Sequence, residues 1–346
     1  MSVRILLFLV LWPVGVVAQG FLGLGGSVEG FSSPAPNPVF KFPTDHGAHP
    51  EYRIEWWYLT ANLNGVDGTA YGLQWTLFRT ALAPGEAEGW RSPQIWFAHA
   101  AVTTPDQHFA TERFGRGGTG QAGVEVKPFR AWIDEWALEG VDFNTMTLIA
   151  NGPEFGYEMS LQAKGPLIFH GDGGYSIKSD KGHSSYYYSQ PFFQIEGTLK
   201  LPTGDVAVAG SAWLDREWSS QPLSDDQSGW DWFSLSLLDG AKLMGFQLRQ
   251  TDGTLYNSAT WISPDGVTTS YGNGKFSAIA LASTPISGRK LPTQWSVKLP
   301  DRGVDVVVTA LNPDAWMELS IPYWEGPVTV IGSHKGQGYL EMTGYE

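Results

Sequence analysis

Tight turns built on glycine recur along this chain and leave little room between them for long helices. Glycine makes up 42 of the 346 residues, well above its usual share of about 7%. Asp-Gly pairs begin at residues 239, 252 and 265, and such pairs supply the positive φ that a tight hairpin turn demands. The intervening segments mix β-branched and aromatic residues with polar ones, without a helical period of 3.6. The pattern predicts an all-β chain.

The turn signals divide much of the chain into candidate strands. These are 55–63, 71–79, 95–103, 192–201, 206–214, 232–238, 243–250, 304–310, 328–332 and 338–343. Closing such strands into a barrel removes the exposed sheet edges and encloses a space for one small ligand. The chain length favours two domains, although periodicity alone also allows a pair of sandwiches. We place the junction in the polar stretch 221–228 and predict one barrel over 41–222 and another over 223–346, each enclosing an apolar cavity.

The first 18 residues have the features of a secretory signal peptide. Arg4 precedes an apolar run that ends in a small-residue cleavage site at Ala18. The alternative, a membrane anchor, needs about 20 apolar residues, and Pro13 and Gly15 interrupt this run. We therefore expect cleavage near Ala18, a flexible leader over 19–40, and a periplasmic or secreted protein without stable membrane insertion.

Composition excludes several classes of site and partner. The chain has no cysteine, which rules out disulfides, thiolate metal sites and a cysteine nucleophile. Its net charge of −13 argues against nucleic acid as a partner, because phosphate backbones reward Lys and Arg. A Gly-x-Ser-x-Gly elbow, a Walker loop and a dinucleotide fingerprint are all missing from the sequence. We expect no cofactor, and the 16 tryptophans become the feature that most needs explaining.

A short loop containing Asp45, His46 and His49 holds the residue types of a metal site. Two histidines at this spacing on a Gly/Pro loop are a weak signature, because a catalytic zinc normally needs a third protein ligand. That ligand would come from elsewhere in the fold, from His99, His170 or His183. In the alternative interpretation, Asp45 and His46 bond backbone groups of a tight turn that closes a barrel end. We expect no bound metal.

Carboxylates repeatedly stand beside tryptophan, as in Glu217-Trp218 and Trp230-Asp231-Trp232. Alternation along a strand places Asp231 on the opposite face from Trp230 and Trp232, so neighbours in sequence are not in contact. An acid that points into an apolar cavity stays protonated, because desolvation raises its pKa, and tryptophan faces stabilise a cationic intermediate. In the alternative interpretation, the tryptophans are core residues and the acids bond arginines outside it.

Several motifs, in order along nearly the whole mature chain, resemble those of AttH-type and carotenoid 1,2-hydratase-like proteins. They are Phe42-Pro43-x-Asp45-His46-Gly47-x-His49-Pro50, Glu55-Trp56-Trp57-Tyr58, Ala98-His99, Glu112-Arg113-Phe114, Ser185-Tyr186-Tyr187-Tyr188-Ser189, Trp213-Leu214-Asp215-Arg216-Glu217-Trp218-Ser219, Gly229-Trp230-Asp231-Trp232-Phe233, Tyr323-Trp324-Glu325-Gly326, Gly338-Tyr339 and Gly344-Tyr345. The resemblance implies two tandem lipocalin-like antiparallel β-barrels. In the hydratase branch it implies cofactor-free addition of water to the terminal double bond of an acyclic carotenoid.

The same resemblance implies roles for particular residues. By motif match, Asp231 is the catalytic proton donor and Glu217 orients water, with Trp218 and Trp230 lining the cation. Further ligand-binding candidates are Trp232, Trp56, Trp57, Tyr58 and Tyr187. Arg216 stands where hydratase-like members often carry histidine. The export signal fits the AttH-like branch, sometimes called secreted hydrolases, better than it fits the hydratase branch.

Two classes of function remain open at this point. The first is a carrier or chaperone for an apolar small molecule such as a lipid, isoprenoid or polyene. One version of this hypothesis is a carrier that delivers its ligand to an ABC transporter. The second is a cofactor-independent enzyme, a hydro-lyase that adds water to a C=C bond of a carotenoid-like substrate. A metal-dependent secreted hydrolase is a weaker alternative.

Overall fold

A computed structural model describes residues 29–345, apart from 222 and 225, and its regular structure consists almost entirely of β-strands. The strands are β1 Ile54–Gly65, β2 Ala70–Ala81, β3 Gln94–Thr103, β4 His108–Arg116, β5 Ala122–Val126, β6 Phe129–Ile133, β7 Trp136–Gly140, β8 Thr145–Asn151, β9 Gly156–Ala163, β10 Ile168–Phe169, β11 Tyr175–Ile177, β12 Ser184–Leu201, β13 Gly204–Ser219, β14 Gln227–Leu237, β15 Lys242–Gln250, β16 Leu255–Ile262, β17 Thr268–Tyr271, β18 Ser277–Ile286, β19 Arg289–Leu299, β20 Val304–Ala310, β21 Trp316–Met317, β22 Tyr323–Gly332 and β23 Gly336–Met342. Short 3-10 turns occupy Thr44–His46, Gly89–Arg91 and Pro300–Arg302. Within the described residues, no helix has the length and apolar character to cross a bilayer. The predicted signal peptide lies outside the described residues.

The strands form two antiparallel sheets. The first has the order β4-β3-β2-β1-β13-β12-β9-β8-β7-β6-β5, with β10 and β11 also paired to β12, and it curls until β2, β3 and β4 approach β6. The second has the order β17-β16-β15-β14-β23-β22-β20-β19-β18, with β21 paired to β22. The predicted fold of two tandem lipocalin-like barrels is confirmed, the first nearly closed and the second a half-barrel. The predicted domain boundary falls in the segment between the two sheets.

The glycine turns lie where the sequence predicted them in the second sheet. Gly240, Gly253 and Gly266 have φ values of 90°, 86° and 85°, in the left-handed region that favours glycine. They join four consecutive strands, β14 to β17, into a meander. In the first sheet, β1 continues through Gly65, and the chain reverses at Gly68, where φ is 84°.

Large side chains fill the interiors of both barrels. Trp57, Trp75 and Trp136 are fully buried in the core of the first barrel, and Phe233 and Trp324 are fully buried in that of the second. Tryptophan and other large residues occupy much of the interior space of both barrels, and the expectation that each barrel encloses an apolar cavity stays a prediction. The cavity described below lies between the two barrels.

Strands at the centre of the first sheet are buried on both faces. In β1, Trp57 and Leu59 pack into the first barrel, whereas Trp56 and Tyr58 face the second sheet. The two sheets meet closely, since β1 contacts β23 and β2 contacts β22. At Gly72 an added Cβ would lie 2.6 Å from the ring of Pro327, which explains why the position has no side chain.

A buried ion network ties β1, β2 and β13 together at one end of the first barrel. Glu55 accepts a 2.5 Å hydrogen bond from Arg79 and a 3.1 Å bond from Arg216, and its other close partner is His49 Nδ1 at 3.0 Å. The guanidinium of Arg216 also stacks on the Trp57 ring at 3.7 Å. Burial opposes ionisation of Glu55, but these cationic partners hold its pKa well below the usual range.

We predict that Glu55→Gln destabilises the protein by about 3–5 kcal/mol, because it leaves two buried guanidinium groups without their counter-charge. Chemical denaturation at neutral pH measures the change. The control is Glu139→Gln, whose partner Arg130 is 43% exposed, and which we expect to cost at most about 1 kcal/mol. Equal effects of the two substitutions would contradict the role assigned to the network.

Candidate active site between the barrels

A cavity of about 80 Å³ lies between the two sheets. Strands β1, β2, β12 and β13 form one wall, and β14, β15, β22 and β23 form the other. The lining residues are Trp56, Tyr58, Thr76, Phe78, Lys178, Tyr187, Asp215, Glu217, Leu223, Trp230, Trp232, Phe246, Leu248, Tyr323 and Glu341. The lining is mostly apolar, with a few convergent ionisable groups, which is the usual composition of a small-molecule site.

Aromatic side chains give the cavity its shape and are held by their polar atoms. Trp232 donates its indole hydrogen to the Tyr187 hydroxyl at 3.1 Å, and its ring lies edge-on to Tyr58 at 5.2 Å. Trp230 likewise donates from its indole nitrogen to Glu341. Because buried indole and phenol groups with polar partners adopt fixed orientations, these hydrogen bonds hold the rings that line the cavity in one arrangement.

Asp215 is a cavity-lining carboxyl group that three side chains hold by hydrogen bonds. It accepts hydrogen bonds from Trp213 Nε1 at 2.6 Å, from the Tyr187 hydroxyl at 2.8 Å, and from the Ser189 hydroxyl. Burial raises the pKa of Asp215 to about 7 despite these three donors, and the nearby charge of Glu217 raises it further. Asp215 therefore exchanges a proton near neutral pH, inside an apolar site.

Glu217 lies two residues further along β13 and faces the same cavity. Its carboxylate pairs with Lys178 Nζ at 2.8 Å and accepts a hydrogen bond from Ser185. The Lys178 ammonium also sits 4.3 Å from the centre of the Phe246 ring and 4.8 Å from that of Tyr187. Glu217 thus has a cationic partner, whereas the three donors to Asp215 are neutral.

The second barrel contributes acids of its own to this interface. Burial raises the pKa of Glu341, and the charges of Asp215 and Glu217 raise it further. Burial also raises the pKa of Glu325, which accepts a hydrogen bond from the Tyr58 hydroxyl of the first barrel. Acidic groups from both barrels thus converge on one water-poor space.

Most of the residues predicted from sequence for ligand binding do line this cavity. They are Glu217, Trp230, Trp232, Trp56, Tyr58 and Tyr187. Trp57 and Trp218 do not, because strand alternation turns both into the first barrel, where Trp218 stacks on His49 at 4.0 Å. These two tryptophans are core residues in this structure.

Asp231, predicted as the proton donor, lies on the opposite face of β14 from the cavity-lining Trp230 and Trp232. Its carboxylate accepts hydrogen bonds from Arg249 at 2.5 Å, from Gln247 at 2.8 Å, and from the Tyr345 hydroxyl. Asp231 and Arg249 therefore form a structural ion pair inside the second barrel, on the side of β14 away from the cavity.

The histidine loop closes the end of the first barrel. His46 stacks on Phe143 at 3.8 Å and bonds the Tyr188 hydroxyl through Nδ1, while His49 lies between Glu55 and Asp45. In the described part of the chain, no three His, Asp or Glu side chains are arranged to hold a metal ion. Arg216 also points into this barrel end rather than toward the cavity.

Sequence reasoning missed Asp215, Lys178 and Glu341 as site residues, although one signal for Asp215 was available. Asp215 and Glu217 are two positions apart on one strand and must share a face, so the choice of Glu217 implied Asp215. Lys178 comes from a loop after β11 and Glu341 from the last strand, and only the packing of the two sheets brings them to the cavity.

Comparison with known proteins identifies the family. The AttH-like family model matches residues 33–345. The chain belongs to the AttH-like family. None of the curated proteins searched matches it in sequence.

Solved structures extend the comparison. A candidate AttH from Nitrosomonas europaea is 30% identical with a TM-score of 0.82, covering 91% of this chain and 100% of that one. Kievitone hydratase from Nectria haematococca is 15% identical with a TM-score of 0.68, covering 91% and 96%. CghA with Sch210972 is 11% identical with a TM-score of 0.53, covering 92% and 97%. The last two show the same fold.

The raised pKa of Asp215 predicts how stability depends on pH. Between about pH 5 and pH 7, native Asp215 keeps a proton that the unfolded chain has lost, so stability is lost as pH rises through this window. The slope from this group is at most about 1.4 kcal/mol per pH unit. Denaturation at pH 5 and pH 7 should show that Asp215→Asn reduces this loss. Asp301→Asn, at a 53% exposed position, should leave it unchanged, and a slope unaffected by Asp215→Asn would refute the assignment.

Proposed function

We propose that this AttH-like protein is a cofactor-independent hydratase that adds water to a C=C bond of an apolar, isoprenoid-like substrate. The observation that carries the proposal is Asp215, a buried carboxyl whose pKa is raised to about 7 and which faces an aromatic cavity. A general acid works best when its pKa lies near the operating pH. The hydratase among the structural neighbours supports the fold but not the reaction.

The first step is proton transfer from the Asp215 carboxyl to one alkene carbon. The π electrons form the new C–H bond, and the other alkene carbon becomes a carbocation. The remaining Asp215 carboxylate is stabilised by the hydrogen bonds from Trp213, Tyr187 and Ser189. Burial keeps the acid protonated before transfer, and the three donors stabilise its conjugate base afterwards.

The second step is capture of the cation by water. Trp56, Trp230 and Trp232 line the cavity, and the face of an indole ring attracts a cation electrostatically, by about 2 kcal/mol or more when it is desolvated. The attacking water forms the C–O bond and releases one proton to the Asp215 carboxylate. Because this proton replaces the one donated in the first step, the cycle needs no added cofactor.

The decisive comparison is between Asp215→Asn and Asp231→Asn. We expect Asp215→Asn to reduce hydration about 10²- to 10⁴-fold, the usual contribution of a general acid, while still binding substrate. Asp231→Asn should retain turnover after any loss of stability is allowed for, because Asp231 lies outside the cavity. Acyclic carotenoids and shorter isoprenoid alkenes, incubated in ¹⁸O-labelled water, are analysed by chromatography and mass spectrometry. Activity lost in Asp231→Asn and kept in Asp215→Asn would instead favour the donor suggested by the motif match.

A carrier for lipids or isoprenoids is the second candidate, favoured by the purely apolar part of the lining. Phe78 on one wall and Phe246 and Leu248 on the other carry no reactive groups, as expected of a site that only encloses its ligand. Under this alternative, wild-type protein binds the polyene panel, measured by quenching of tryptophan fluorescence, and converts none of it. Trp232→Ala should then weaken binding, whereas Asp215→Asn should leave it unchanged. Mass spectrometry of co-purifying small molecules would identify the ligand.

A further inference from the structure

A chain of hydrogen bonds leads from Asp215 to the second barrel through a histidine that the proposed reaction does not use. Ser189 donates to the Asp215 carboxyl, His170 Nε2 lies 2.6 Å from the Ser189 hydroxyl, and His170 Nδ1 lies 3.0 Å from the hydroxyl of Thr260 on β16. We infer that Ser189, His170 and Thr260 form a positioning relay that couples docking of the second barrel to the orientation of the Asp215 carboxyl. The inference rests on the proposed function only where it concerns turnover.

The direction of the hydrogen bonds follows from the donors available. A hydroxyl has one hydrogen, and Ser189 gives it to Asp215. His170 Nε2 must therefore carry the hydrogen of the imidazole and donate to Ser189, which leaves Nδ1 to accept from Thr260. Burial and the charge of Lys178 hold the pKa of His170 well below its usual range, so the ring is neutral and one tautomer satisfies every bond.

This arrangement differs from a serine hydrolase triad. In a triad the histidine bridges the serine and the acid and accepts the serine proton. Here Ser189 bridges His170 and Asp215, and its only hydrogen is directed to the acid. The group therefore orients Asp215 and does not activate a nucleophile.

The relay crosses the interface between the barrels at a fully buried point. His170 and Ser189 are each 0% exposed and Thr260 is 1% exposed, so water does not replace a missing partner. If Thr260 no longer donates to Nδ1, the imidazole can move its hydrogen to Nδ1 and accept from Ser189 through Nε2. Ser189 would then turn away from Asp215, and the carboxylate would lose one of its three donors.

Other ionisable groups surround the relay and must be held constant in a test. They are Tyr58 on β1, Tyr187 on β12, Glu217 on β13, Glu341 on β23 and Lys178 on the loop after β11. None of the substitutions below changes any of them. A change in the titration of Asp215 therefore reports on the hydrogen bonds of the relay.

The experiment measures the pKa of Asp215 directly in the mature protein, without substrate. Protein labelled with ¹³C at the aspartate carboxyl is titrated by NMR, and the Asp215 signal is the one missing from Asp215→Asn. Because donors to a carboxylate lower its pKa, we expect Ser189→Ala to raise the pKa of Asp215 by about one unit, a tenfold change in its ionisation constant. His170→Phe should raise it by less, because Ser189 can still donate to Asp215 but loses the donor that orients its hydroxyl. Thr260→Val should raise it in the same direction by a smaller amount.

Matched controls separate the relay from general disturbance of the interface. His108→Phe removes a half-buried histidine near the second barrel, which contacts Met317, and Thr293→Val removes another buried hydroxyl, bonded to Thr284. Both should leave the pKa of Asp215 unchanged. In a Ser189→Ala background, His170→Phe should have no further effect, because the link is already broken.

Three results would overturn the relay. They are an unchanged Asp215 pKa in both His170→Phe and Thr260→Val, equal shifts in the controls, or additive shifts in the double variant. Circular dichroism confirms that each variant is folded, and if His170→Phe does not fold, Thr260→Val and Ser189→Ala decide the outcome. Absence of hydration activity with the expected pKa shifts would reject the proposed reaction and leave the relay standing.

Discussion

Burial of β1 and β13 on both faces is the constraint on which the site depends. The two strands pair antiparallel, with Trp56 opposite Glu217 and Tyr58 opposite Asp215. Because side chains alternate along each strand, one face of the pair must fill the first barrel while the other meets the second barrel. Neither face can be exposed, so every polar group on these strands needs a partner from within the protein. The candidate site consists of the polar groups on the outer face of this strand pair and the residues that hydrogen-bond to them.

The two faces satisfy their charges in opposite ways. On the inner face, Glu55 is compensated by Arg79 and Arg216, and the resulting network locks the strands in register. On the outer face, Asp215 has only neutral donors, and the nearest cation, Lys178, is paired with Glu217. A buried acid without a cation favours its protonated form. The same strand pair thus carries a structural carboxylate on one side and a proton-exchanging acid on the other.

Much of the fold could be predicted from local pattern, and the position of the site could not. Every candidate strand overlaps an observed one, because glycine turns and β-branched residues are local signals. Strands such as β4 and β17 were missed, since their half-exposed, mixed composition resembles loops. Alternation already separated Asp231 from Trp230 and Trp232, but which of the two faces meets the cavity depends on how the sheets pack. That packing has no signature in the sequence of β14 alone.

The acidity of Asp215 is a property of the assembled pair of barrels. All three of its donors, Trp213, Tyr187 and Ser189, come from the first barrel, and alone they would lower its pKa below the ordinary value. The desolvation that outweighs them requires a second wall, to which Trp232 and Phe246 contribute. A gap between the barrels would admit water and return the carboxyl to its ionised form. The raised pKa of Asp215 therefore depends on a closed interface between the barrels.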